Sequence, residues 1–225
     1  IAYFLSFINF YGHFSRVCYN DGKIIGGAVP PLFTVRFFLI ISIGGTAMKY
    51  LFKNGTVVSG RGTRRADVLV ENEKILHVGR NLSDPLARAI DVTGKLLMPG
   101  FIDAHTHFDL DVCNTTTIDD FDSGTKSAIR GGTTTIVDFA CPNKGESLHY
   151  GLDLWHKKAD GKCWCDYGFH MTIDDWNAEI EKEIDDMYAA GISSFKMYMT
   201  YPAMMIGDEA MYKALKKLKE KGGIC

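Results

Sequence analysis

A chain of 225 residues has room for one large domain or two small ones, and 46% hydrophobic residues with 12% aromatics suffice for a packed core. A formal net charge of −2 without a basic stripe argues against a general nucleic-acid binder. Six cysteines (Cys18, Cys113, Cys141, Cys163, Cys165, Cys225) lack a regular frame, which suits a reduced cytoplasmic protein better than a disulfide scaffold.

Residues 1–47 are unlike the rest: aromatic and apolar, without regular period and without methionine. Their longest apolar run, residues 37–45, is too short to span a bilayer, which needs about 20 residues, so no membrane role is expected. Arg36 before that run and Gly45-Thr46-Ala47 at its end faintly imitate a signal peptide. Met48 then opens a clean strand pattern, and Gly44-Gly45 just before it fits a purine-rich ribosome-binding sequence read in frame. The expectation is that residues 1–47 are translated upstream sequence and that the natural protein starts at Met48.

Residues 48–98 predict a small antiparallel β module, one half of a sandwich. Tyr50 to Val58 reads as two short strands around an Asn54-Gly55 tight turn. Asp67–Glu71 pairs with Lys74–Val78, and Ala89–Val92 with Lys95–Met98 across Thr93-Gly94. Arg61, Arg64 and Arg65 read as a solvated loop cluster and His77 as structural; nothing in this module looks chemical.

From residue 99 onward, strands alternate with helices. The expected strands are Phe101–His105, Thr133–Phe139, Asp166–Met171 and Ser193–Met199. The expected helices are Asp119–Arg130, Leu148–Ala159, Asp174–Ala190 and Asp208–Lys221, and residues 222–225 look like the start of a fifth strand. Repeated βα units predict an α/β fold with a parallel sheet. A doubly wound sheet would carry a glycine-rich turn after its first strand. Here Met98-Pro-Gly-Phe-Ile-Asp-Ala-His-Thr-His-Phe-Asp109 runs into His105 and His107 instead. The prediction is therefore a partial (β/α)8 barrel, about its first four βα units, in residues 99–225; barrel catalytic residues lie at the carboxyl ends of strands.

His105 and His107 are two residues apart, so on a strand both rings point to one face and can share a metal. Two unrelated histidines at a strand end remain the plain alternative. Cys163-Trp164-Cys165 could be half a metal site, but no second pair completes it, and these thiols read as core or surface. Alternation on the fourth strand puts Phe195, Met197 and Met199 on one face and turns Ser194, Lys196 and Tyr198 inward. Burying an ammonium is costly, whereas the neutral amine can add carbon dioxide to give a carbamate able to bridge two cations. From the lysine alone, a pairing with Asp103 or Asp138 is the favoured reading.

The His105-x-His107 pair after its Pro-Gly-Phe-Ile-Asp strand, with Ser194-Phe-Lys196 on the fourth, resembles the amidohydrolase superfamily. Gly131-Gly-Thr-Thr-Thr-Ile-Val-Asp-Phe139, Trp155-His156, Asp166-Tyr-Gly-Phe-His170 and Ser194-Phe-Lys-Met-Tyr-Met-Thr-Tyr201 narrow the resemblance to dihydropyrimidinases and D-hydantoinases, over Met48 to Cys225. The tyrosine five residues beyond the lysine, Tyr201, points to this branch. The resemblance implies that two divalent metal ions, zinc first among candidates, are held by His105, His107 and carboxylated Lys196. It implies that Tyr201 donates its phenol proton to the developing oxyanion while metal-activated water opens a cyclic amide or imide to an N-carbamoyl amino acid. His156 and His170 are assigned packing and supporting roles, and Asp103 a hydrogen-bonding one. The resemblance also implies a homotetramer, and two further histidine ligands and an aspartate on strands past Cys225, so the 225 residues alone are expected to be inactive. The alternatives are an allantoinase or dihydroorotase-like enzyme and, in another class, a non-catalytic scaffold of the same fold.

Overall fold

The computed structural model describes residues 49–72, 74–112 and 114–225, together with the backbone of four short strands nearer the amino terminus. These are β1 (Tyr3–Phe7), β2 (Ser15–Cys18), β3 (Ile25–Gly27) and β4 (Arg36–Phe38). The expected leader, residues 1–47, otherwise lies outside the described residues.

The β module is built on β5 (Lys49–Ser59), β6 (Gly62–Glu71) and β7 (Lys74–Gly79), antiparallel in that order. Asn54-Gly55 is not the tight turn its sequence suggests. β5 runs straight through it with a register shift between Phe52 and Gly55, and Asn54 adopts a φ of 65°. A left-handed asparagine serves a bulge as well as a turn. Asp67 on β6 decides between them by accepting a hydrogen bond from Asn54 N at 2.7 Å, which holds the bulge shut. The chain reverses instead at Ser59–Gly62, so Arg64 and Arg65 lie on β6 and only Arg61 is in the turn. β8 (Arg88–Asp91) and β9 (Leu96–Met98) do not pair with each other; each runs parallel to β5, making the sheet mixed. Phe52, Val57, Val68, Val70, Val92 and Leu97 close its core, whereas His77 is exposed on β7.

The α/β part alternates as expected. β10 (Phe101–Thr106) is followed by a small hairpin, β11 (Asp111–Val112) and β12 (Thr115–Thr116), and then α1 (Phe121–Gly131). β13 (Thr133–Ala140), α2 (Leu148–Ala159), β14 (Asp166–Thr172), α3 (Ala178–Ala189), β15 (Phe195–Lys196) and α4 (Asp208–Glu220) complete it. The four strands lie in the order β10-β13-β14-β15, all parallel. A doubly wound sheet reverses its order at a switch point; this sheet keeps sequence order throughout, as a barrel does.

Caps set the helix bounds. Asp120 and Ser123 form a reciprocal capping box that starts α1, and Gly132 ends it at a φ of 95°. α3 starts at Ala178, four residues later than expected, because Asn177 caps it by accepting from Glu179 N and Ile180 N. The fourth strand is also shorter than its pattern: only Phe195 and Lys196 ladder with β14, Tyr198 turns away to bridge Met205, and Met199 is exposed. At the chain's end Ile224 bridges Ser194 in parallel, the first rung of a fifth strand. Ile136, Trp155, Met171, Ile184, Met187 and Leu218 form the core between sheet and helices.

Candidate metal centre

β10 ends at Thr106, with His105 on the strand and His107 just past it. The Nε2 atoms of His105 and His107 are 3.3 Å apart, and the two rings meet edge-on at 82°. Two nitrogens each about 2.0–2.1 Å from one tetrahedral zinc ion stand about 3.3–3.4 Å apart. The observed spacing therefore fits a shared metal. Burial first, then the charges of Lys196 and His105, hold His107 below the ordinary imidazole range, and the neutral ring is the form that binds a cation. His107 Nδ1 is buried with no hydrogen-bond partner.

Phe139, at the end of β13, is the floor on which the site is assembled. Its ring centroid lies 4.6 Å from that of His105, 5.0 Å from His107 and 4.7 Å from His170, and 4.3 Å from Lys196 Nζ. Lys196 thus reaches from β15 the same aromatic ring that the histidine pair reaches from β10. Its ammonium also lies 4.8 Å from the Tyr198 ring centroid. Among the described residues no carboxylate is within ion-pair distance of Lys196, and the two partners its sequence suggested are engaged elsewhere. Asp103 accepts a hydrogen bond from His105 N. Asp138 faces away and accepts from Thr106 Oγ1, Phe108 N, Phe139 N and Trp155 Nε1. Burial pushes the Asp138 carboxyl up, against the pull of those donors.

Ring contacts such as those of Lys196 are worth about 0.5–1 kcal/mol each, and the Lys196 charge also acts on the Asp174 carboxyl.

His170 ties the inner face together. Its Nε2–H donates to Ala104 O at 2.9 Å and its Nδ1 pairs with the Ser194 hydroxyl at 2.6 Å, fixing β14 to β10 and β15. His156 lies elsewhere, on α2, against Asp160 and the Phe169 ring. Tyr201 is exposed with its ring centroid 6.0 Å from that of Tyr198, and its φ of 64° is unusual for a bulky side chain. Cys141 Sγ is 3.2 Å from Thr172 Oγ1, and burial pushes the thiol up to about 11. Asp174, just past β14, is 6% exposed with Oδ1 unpartnered, and burial raises it to about 6.

Among the described residues no three His, Cys, Asp or Glu side chains converge. The chain brings together His105, His107 and Lys196 and places Tyr201 near Tyr198. Sequence reasoning missed Phe139 as the common floor and Asp138 as a fourfold acceptor. Alternation could have found both, since consecutive residues of a strand face opposite sides.

The amidohydrolase family model matches residues 96–224. The chain is 44% identical over 182 residues to the D-hydantoinase of Geobacillus stearothermophilus, covering 79% of this chain and 38% of that protein. It is 43% identical over 177 residues to the dihydropyrimidinase of Dictyostelium discoideum, covering 77% and 35%. The crystal structure of dihydropyrimidinase from Brevibacillus agri superposes with a TM-score of 0.77 at 44% identity, covering 79% of this chain and 39% of that one. The chain spans well under half the length of each.

Proposed function

Because the chain belongs to the amidohydrolase family, we propose that the protein is a metal-dependent cyclic amidase of the dihydropyrimidinase and D-hydantoinase kind. It hydrolyses the ring amide of dihydropyrimidines or 5-substituted hydantoins to N-carbamoyl amino acids. The observation that carries this reading is the 3.3 Å between two Nε2 atoms, with the Lys196 amine against the same Phe139 ring.

In this reading His105, His107 and Lys196, as its carbamate, would hold the metal pair. When bound, such a pair supplies Lewis acidity at the scissile carbonyl and makes water a competent nucleophile near neutral pH. Phe139 keeps the three ligand side chains in one place and excludes water beneath them. His170, with both nitrogens engaged, holds β10, β14 and β15 at a fixed separation. Tyr201 donates its phenol proton toward the carbonyl oxygen as negative charge develops, where loss of one donor typically costs about 10²–10³ in rate. Zinc is the proposed metal, a small cyclic amide the substrate, and a homotetramer the assembly. Free thiols at Cys141, Cys163 and Cys225 support a reducing, cytoplasmic setting. No helix among the described residues is long and apolar enough to cross a membrane.

The test is ring opening of dihydrouracil and of hydantoins by the full-length gene product, read as N-carbamoyl product, with elemental analysis of the same sample. Two metal equivalents, and turnover lost in Lys196→Ala, are expected. A folded full-length protein with neither metal nor turnover overturns the reading in favour of a scaffold. The 225 residues alone are expected to leave dihydrouracil intact.

A further inference from the structure

We propose that Asp138 is the positioning residue that sets the His105–His107 segment for its metal, acting through the Thr106 hydroxyl and the Phe108 amide. The inference rests on the metal-centre reading above. The ladder between β10 and β13 is broken where the ligands lie: register shifts between Asp103 and Thr106, and Thr106 is the last paired residue. Backbone pairing therefore does not by itself fix His105 or His107. Asp138, directly opposite Thr106 and 1% exposed, supplies the missing restraint from its side chain. One oxygen, Oδ2, accepts from Thr106 Oγ1 at 2.8 Å and from Phe108 N at 3.0 Å, so it grips the residues on either side of His107. The other, Oδ1, accepts from Phe139 N at 2.8 Å and Trp155 Nε1 at 3.2 Å, which anchors the carboxylate to the site's floor and to α2.

Four donors fill the acceptor capacity of a carboxylate, and three of them are N–H groups that cannot reverse roles. An amide in its place must turn its NH2 toward one pair of donors, so Asp138→Asn keeps the shape and breaks the grip. The division of labour between the two oxygens separates positioning from mere stability. Trp155→Phe removes a bond to Oδ1 and should weaken the fold alone. Thr106→Val removes a bond to Oδ2 and should disturb the ligands, while Thr106→Ser retains the hydroxyl and should restore them.

The experiment is a zinc titration of the metal-stripped full-length protein labelled with 13C-histidine, followed on the ring signals of His105 and His107, alongside the melting temperature of each variant. Changing an outer partner of a metal ligand typically costs 10–100-fold in affinity. Asp138→Asn and Thr106→Val are expected to bind zinc at least about tenfold more weakly, and Thr106→Ser close to the parent. Trp155→Phe is expected to melt lower at an affinity within about twofold. Parent-like affinity in Asp138→Asn and Thr106→Val, or affinity that simply tracks melting temperature through Trp155→Phe, overturns the positioning role alone. A parent chain whose His105 and His107 signals ignore zinc overturns the metal centre and this role with it.

Discussion

Truncating Phe139 tests the floor of the site most directly. The ring is 6% exposed and contacts His105, His107, His170 and Lys196. Removing a buried phenylalanine side chain to alanine costs about 3–5 kcal/mol through lost transfer and cavity terms. Phe139→Leu keeps much of the apolar volume but loses the flat face. Each aromatic contact is worth about 0.5–1.5 kcal/mol and the ammonium contact about 0.5–1 kcal/mol, and these do not add fully because the partners share one ring. The expected losses are about 2 kcal/mol for Phe139→Leu and about 3–5 kcal/mol for Phe139→Ala. Urea unfolding at constant m measures both. A second readout follows the ammonium: Lys196 side-chain protons, shifted upfield by the ring face, should return toward free-lysine positions in Phe139→Leu. A loss under about 1 kcal/mol in Phe139→Ala, or Lys196 signals unmoved in Phe139→Leu, would refute the common floor.

Gly124→Ala should be destabilising despite the gain in helix propensity of about 1 kcal/mol. A Cβ there enters the Phe108 ring, and overpacking of this kind costs about 1–3 kcal/mol; a melting temperature above the parent's would show that Phe108 can step aside. Asp174 should make the fold less stable as pH rises. Burial pushes its carboxyl up to about 6 in the folded chain from the ordinary 3.8, so the folded state holds the proton more tightly. The stabilisation is complete below 3.8 and is lost as pH climbs through about 6. Asp174→Asn should flatten that slope in urea titrations at several pH values, and an unchanged slope would place the titration elsewhere. Lys196→Met should leave folding intact while abolishing metal retention by the full-length protein, checked by elemental analysis after dialysis; full metal content would remove Lys196 from the site.

Much of the architecture was legible because its signals are local. βα alternation, the helix bounds of α1 to within a residue or two and the inward turn of Lys196 all depend on neighbours within a few residues. The convergence of His105 and His107 was legible too, since a spacing of two at a strand end puts both rings on one side. What escaped depends on partners far along the chain. Asn54-Gly55 has the composition of a turn, and only Asp67, which closes the bulge, reveals otherwise. Asp138 and Asp103 were equally plausible partners for Lys196 until their hydrogen bonds were seen to be taken. β8 and β9 flank a Thr-Gly turn signal, yet both lie beside β5, because a shared neighbour decides strand pairing and a turn dipeptide alone does not.

The supernumerary residue at Asn54 acts as a phase corrector for everything downstream of it. Phe52 and Val57 are an odd number of positions apart, so an unbroken pleat would send them to opposite sides of the sheet; both are core residues. Flattening the bulge without removing a residue would therefore invert Val57 and with it the stretch, Thr56 and Val57, against which β9 aligns, whereas deleting Asn54 would leave an even spacing and keep both in the core. Because β9 leads through Pro99-Gly100 directly into β10, loss of the one bond from Asn54 N to Asp67 in a module without chemistry of its own would be felt at the imidazoles of His105 and His107.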